Sequence, residues 1–315
     1  MPPIEDRISA LPDELLQRLL SFLPSKDAVQ TCVLGQRWRD QWKTVPALRI
    51  TDADAKRYEC ASALNKFVNC LLLFRHQSPL LVAEITSFGS VEDIDDDDAT
   101  QYLEPWVRYV LLHKAQKLRV CSNKDIPYRW ELPHKLITSK HLTKLELVQV
   151  ETVHDFLDFS SCPKLEDLKM EFCSIFTSWI VSPSLKRLSI TCCVFCCNAR
   201  VQISVPGLIS LQLADCNGRT PLLEYMPMLV SAFVRLQHCS EKCQNSYETG
   251  NCGDESCEEY YLDSDGGDYS SCLLLDGLSD STNLELTAAP GVVCKYFVPS
   301  FILSNIHCFS SCICD

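Results

Sequence analysis

The sequence predicts an α/β architecture in which a three-helix module precedes a solenoid of repeats whose strands form a curved parallel sheet. Two observations carry that reading. Residues 11–42, LPDELLQRLLSFLPSKDAVQTCVLGQRWRDQW, read as three short, strongly apolar helical segments. Past residue 106 the pattern L-x-x-L-x-L-x-x-(N/C) returns in phase, copy after copy. A chain of 315 residues has ample material for both.

The first helix has Pro12 near its first turn, where a missing N–H costs little, and Asp13 or Ser9 as its cap. LPS at 23–25 stops it, and Ser25 is placed to cap a second helix that is broken or bent near Gly35. Leu15, Leu16, Leu19, Leu20 and Leu23 cover more than one helical face. So small a module cannot bury two apolar faces alone, so one serves its own core and the other needs a partner. Residues 64–74, LNKFVNCLLLF, then predict an amphipathic helix, and LLVAEITSF a strand. A polar break at 89–101 carries an aspartate run.

The repeats begin at Ala115, Leu142, Leu165, Leu185, Leu208 and Leu229, with a late copy from Ser281. Their spacing is that of leucine-rich repeats, and the L-x-L pair alternates inward and outward as a strand should. No single strand hides its leucines, so neighbours must stack. The intervening segments are expected to supply short helices or irregular turns. Outward positions include Lys144, Glu146, Asp167, Lys169, Glu171, Arg187, Ser189, Thr191 and Gln212, which are the candidate contacts for a protein partner.

The net charge of −12 is concentrated in two segments: EDIDDDD at 92–98 holds −6, and 239–272 holds −8. The remainder is close to neutral and has no basic stripe, which argues against nucleic acid. The N-terminus lacks the pattern of a signal peptide, and no stretch approaches a membrane span, so the expectation is an intracellular protein, cytoplasmic or nuclear and not secreted. Twenty cysteines dispersed along such a chain are read as reduced thiols.

Cys192, Cys193, Cys196 and Cys197, and separately Cys239, Cys243, Cys252 and Cys257, could in principle ligate zinc. Yet Cys173, Cys193 and Cys216 each occupy the ninth repeat position, as Asn123 does earlier, where a small side chain satisfies turn backbone. No metal or cofactor is therefore expected. DSDGGD at 263–268 lacks the final glutamate of a calcium loop, and no nucleophile or phosphate-loop motif occurs. The chain reads as non-catalytic.

Leu11-Pro12, the leucine-rich helix, FLPSKDAVQTCVL and Arg37-Trp38-Arg39-x-x-Trp42 together resemble an F-box of the plant F-box/leucine-rich-repeat type. The likeness runs over residues 4–50. Gly35-Gln36 departs from it, standing where the family usually has serine and a basic residue. The resemblance implies docking to a Skp-type adaptor, and through it a cullin ubiquitin ligase. Leu11, Pro12, Leu16, Leu19, Leu23 and Val33 would supply apolar area, with Trp38 and Trp42 holding the helices. It also implies a receptor that presents a protein substrate; the alternative is a scaffold that binds the adaptor without delivering one.

The expected layout is an F-box at 4–45, a helical and strand cap at 46–105 and repeats at 106–238. An acidic, cysteine-containing insertion follows at 239–272, then a final repeat at 273–297 and an atypical tail at 298–315. Relatives of this type often end in an FBD-type region. The tail offers no further repeat, so the expectation is an abbreviated or alternatively terminated chain without that region.

Overall fold

Alternation of leucines with polar residues generates the main strands, and the structure, a computed structural model, shows them in register. It describes residues 8, 10–51, 54, 57, 58, 60–76, 78–87, 99–122, 129–196, 200–218, 221–224, 226–236, 278 and 283–288. The aspartate run, Asn123, Cys197, the four cysteines of 239–257, the 263–268 motif and the 298–315 tail lie outside these residues. The fold is α/β: an N-terminal module of short helices, followed by a parallel-strand solenoid. The chain divides into two units, Met1–Gln149 and Val150–Asp315.

The first unit opens with α1 (Asp13–Leu20) and α2 (Ser25–Gln30). Three 3-10 turns follow, Thr31–Leu34, Gln36–Trp38 and Gln41–Thr44, in place of a third α-helix. Gly35 separates the first two in an extended conformation, because glycine is poorly held within a helix. Four parallel strands come next: β1 (Ala47–Ile50), β2 (Val82–Thr86), β3 (Lys117–Cys121) and β4 (Lys144–Val148). Between β1 and β2 runs α3 (Ala61–Phe74), which buries Leu64, Val68, Leu71 and Leu72. A helix that the sequence reading missed, α4 (Leu103–Leu112), buries Trp106, Val107, Val110 and Leu111 between β2 and β3.

The capping expectations need correction. Pro12 and Pro24, rather than Asp13 and Ser25, occupy the N-cap positions, and neither helix has a side-chain cap at that position. Ser25 is buried, and its Oγ accepts the Arg49 N–H at 2.9 Å. Asp54 is fully buried just after β1: its carboxylate accepts from the backbone of Thr51 at 3.1 Å, and burial pushes it above the usual carboxylate range.

In the second unit, β5 (Asp167–Glu171), β6 (Arg187–Thr191), β7 (Ser210–Ala214), β8 (Ser231–Leu236) and β9 (Asn283–Ala288) pair in parallel. Leu168, Met170, Leu188, Ile190, Leu211 and Leu213 point inward and are buried, each stabilising the stack by about 1.5–3 kcal/mol. Among the described residues the intervening segments are not helical. Residues 174–175, 194–195 and 217–218 form one short ladder, and 156–158, 179–181, 202–204 and 222–223 another.

The turn between strand and ladder recurs: Phe172, Cys192 and Asp215 all have φ near +54°, in the left-handed region. Their N–H groups bond to Thr191, Ala214 and Arg235 of the next strand, which holds the strained backbone in place. Gly218 (φ +94°) is required where it stands, since a Cβ there would lie 2.2 Å from the Phe195 carbonyl oxygen.

Candidate docking surfaces

The leucines of α1 separate by helical face. Leu16 and Leu20 turn inward and form a small core with Ala28, Trp38, Val45 and Ala47, against which Leu11 packs. Leu15 and Leu19 lie one turn apart on the other face and are about half exposed. Phe22 and Leu23 continue this surface, and Val33 and Leu34 of the first 3-10 turn are 83% and 66% exposed. Pro12 is exposed as well.

Leu16 is therefore fully enclosed and acts by holding the helix, while Leu19, Leu23 and Val33 present area outward. Trp38 is buried, and Trp42 is half-buried with its Nε1 donating to the Arg39 carbonyl. Arg37 ties the module together, donating to Asp13 at 2.9 Å and to the Leu11 carbonyl. Leu15, Phe22 and Leu34 were not among the contacts expected from sequence, though the four-residue spacing of Leu15 and Leu19 was legible.

The outward strand positions carry charges that neutralise one another. In the first unit, parallel register aligns Arg49, Glu84, Arg119 and Glu146. Arg49 pairs with Glu84 at 2.6 Å, and Arg119 reaches Glu84 at 3.8 Å and Glu146 at 3.2 Å. Lys144 completes the row, 2.8 Å from Glu146. Partial burial pushes the Glu146 carboxyl up, but its bonds to Lys144 and Arg119 outweigh this and hold it below the usual carboxylate range. Arg49 also donates to the Ser21 carbonyl at 2.8 Å, joining this row to the end of α1.

In the second unit Asp167 pairs with Arg187 at 3.3 Å and Lys169 with Glu171 at 2.9 Å, while Ser189 donates to Gln212. Thr191 lies in register with Glu171 and Ala214. The sequence reading identified these positions but not their mutual pairing, which depends on register across repeats.

The ninth-position cysteines form an inter-repeat ladder. The Cys193 thiol lies 3.5 Å from the Met170 carbonyl and 3.3 Å from that of Thr191, and it accepts the Cys173 N–H at 3.3 Å. Cys216 likewise reaches Ile190 of the preceding strand at 3.5 Å. The bond with the Cys173 side chain, and then burial, push the Cys193 thiol far above its ordinary value; burial pushes Cys216 up to about 11. These sulfurs thus serve as hydrogen-bonding groups between adjoining strands. Among the described residues no cluster of metal-ligating side chains occurs, and no helix is long and apolar enough to cross a membrane.

A helical module with a closed core and an exposed apolar face, followed by parallel-strand repeats, defines a repeat protein with a distinct N-terminal module. Residues 8–49 match the F-box domain family, so the module is an F-box. The chain is similar to an FBD-associated F-box protein of Arabidopsis thaliana, 31% identical over 78% of this chain and 59% of that protein. It is 30% identical to an F-box/FBD/LRR-repeat protein of the same plant, over 74% and 61%. To the MEIOTIC F-BOX protein MOF of Oryza sativa subsp. japonica it is also 30% identical, over 66% and 46%. The chain thus spans about half to three fifths of the length of these relatives.

Proposed function

We propose that the chain is the substrate receptor of an SCF-type (Skp–cullin–F-box) ubiquitin ligase. Its F-box docks to a Skp-type adaptor, and through it a cullin, while its repeats hold a protein substrate. The observation that carries this reading is the surface of Leu15, Leu19, Phe22, Leu23, Val33 and Leu34, left uncovered on a module whose own core is already closed. Leu11 and Pro12 border it, and Leu16, Trp38 and Trp42 hold its shape. The receptor carries out no chemistry; it raises the effective concentration of substrate beside the ligase. Lys144, Glu146, Asp167, Lys169, Glu171, Arg187, Ser189, Thr191 and Gln212 form the proposed substrate face.

Leu19→Ala with Val33→Ala tests the docking step. Apolar anchors of this kind are worth about 2 kcal/mol each, or roughly thirtyfold in affinity. Pull-down of a purified Skp-type adaptor should fall accordingly while the melting temperature holds, and undiminished pull-down would refute docking. Substrate delivery is tested separately, by affinity purification with and without residues 1–45 and by turnover of the captured proteins. Adaptor binding with no F-box-dependent turnover would identify a non-degradative scaffold instead.

A further inference from the structure

Among the described residues, the most exposed large apolar side chains fall into two groups. One belongs to the F-box. The other lies outside it, where α3 and α4 end: Leu73 is 77% exposed, Phe74 60% and Leu112 79%. These helix ends are neighbours within the first unit. Tyr109 of α4 donates its hydroxyl to the Leu72 carbonyl at 3.1 Å, and Leu112 stands three residues on, along the same side of the helix. Beneath them Arg75 is buried and donates to the Val45 and Ala47 carbonyls, so the platform is fixed to the backbone that leads into β1.

Exposed basic side chains flank the three apolar ones. Lys66, about two turns before Leu73 and Phe74 on α3, is exposed, as are His76 and Lys114 just past the two helix ends. Among the described residues Lys66 and Lys114 make no ion pair. The nearby acids are already engaged, Glu104 by Arg108 at 2.6 Å and Asp40 by Lys43 at 2.6 Å. An apolar centre flanked by two lysines without an ion pair among the described residues favours a partner with the opposite pattern.

We propose that Leu73, Phe74 and Leu112, rimmed by Lys66, His76 and Lys114, form a second docking surface that takes an acidic amphipathic helix of a partner protein. The leucine and phenylalanine side chains cover the apolar stripe of that helix, and the lysines face its flanking carboxylates. This surface uses none of the residues of the Leu19 and Val33 face.

Fluorescence anisotropy on the full chain provides the test. The probe is a labelled amphipathic helical peptide with leucine on one face and glutamate on the other, and its counterpart has lysine in place of glutamate. The glutamate peptide should bind the native chain at least about tenfold more tightly than the lysine peptide. Leu73→Ser with Leu112→Ser should weaken binding at least about tenfold, and Lys66→Glu with Lys114→Glu similarly. All these positions are exposed, so melting temperatures should not change, and Leu19→Ala with Val33→Ala should bind the peptide as the native chain does. Equal binding of the two peptides, no binding to the native chain, or loss only in the F-box variant would overturn the proposal. So would a concentration-dependent dimer in sedimentation that Leu73→Ser with Leu112→Ser abolishes, because the occupant would then be a second copy.

Discussion

At the scale of single residues, the ninth-position cysteines show what the repeat asks of a side chain. Cys193 accepts one backbone N–H and reaches two carbonyls of adjoining segments. Cys216→Asn keeps a small polar group at such a position and should shift the melting temperature little. Cys193→Val leaves buried polar groups unpaired and should cost about 1–3 kcal/mol, read by urea denaturation. The thiols also set a pH response. Cys216 rises from an ordinary 9.0 to about 11 on folding, so the folded state holds its proton more tightly. Its contribution is complete below pH 9 and is lost as pH climbs through about 11, so stability should fall across that window. Cys216→Ser should flatten that part of the pH profile. An unchanged slope in the variant would mean that this thiol does not titrate there.

At the scale of elements, α1 divides one leucine pattern between two tasks, and the division can be measured. Leu16 is fully buried, so Leu16→Ala should cost about 2–5 kcal/mol of stability. Leu15→Ala and Leu19→Ala should leave stability nearly unchanged, and calorimetry of the three variants separates core from surface. The charged row on β1–β4 behaves differently. Arg119 is partly exposed, so Arg119→Met should change stability by no more than about 1 kcal/mol. Its clearer signature is in acid. Glu146 titrates below its usual range when folded, so its contribution is present above that range and is lost as pH falls through the lowered value. Losing Arg119 should move that loss to higher pH, as NMR titration of the Glu146 carboxyl would show.

At the scale of the whole molecule, docking and stability are linked by mass action. If the F-box face is the adaptor site, a Skp-type adaptor binds the folded chain and not the unfolded one. At an adaptor concentration a hundred times its Kd the chain should gain about 2.7 kcal/mol, visible as a melting temperature that rises with adaptor. The Leu19→Ala with Val33→Ala chain should lose most of that rise while melting normally alone. An equal rise in both chains would place the adaptor elsewhere on the molecule.

Sequence by itself determined the α/β class, the repeat phase, the inward leucines and the apolar F-box helices. Each is a local periodicity, and burial follows directly from period and hydrophobicity. Gly35 likewise marked a break, which the structure places between two 3-10 turns. Tertiary structure alone decided the rest. Which α1 leucines face the core depends on where Trp38 and Val45 return to pack. The Arg49–Glu84–Arg119–Glu146 row joins residues scattered across nearly a hundred positions, and only the register of parallel strands brings them together. Tyr109 of α4 reaches the Leu72 carbonyl of α3 for the same reason. Sequence patterns report the environment along one element, whereas pairing between elements is set by the packing of the chain as a whole.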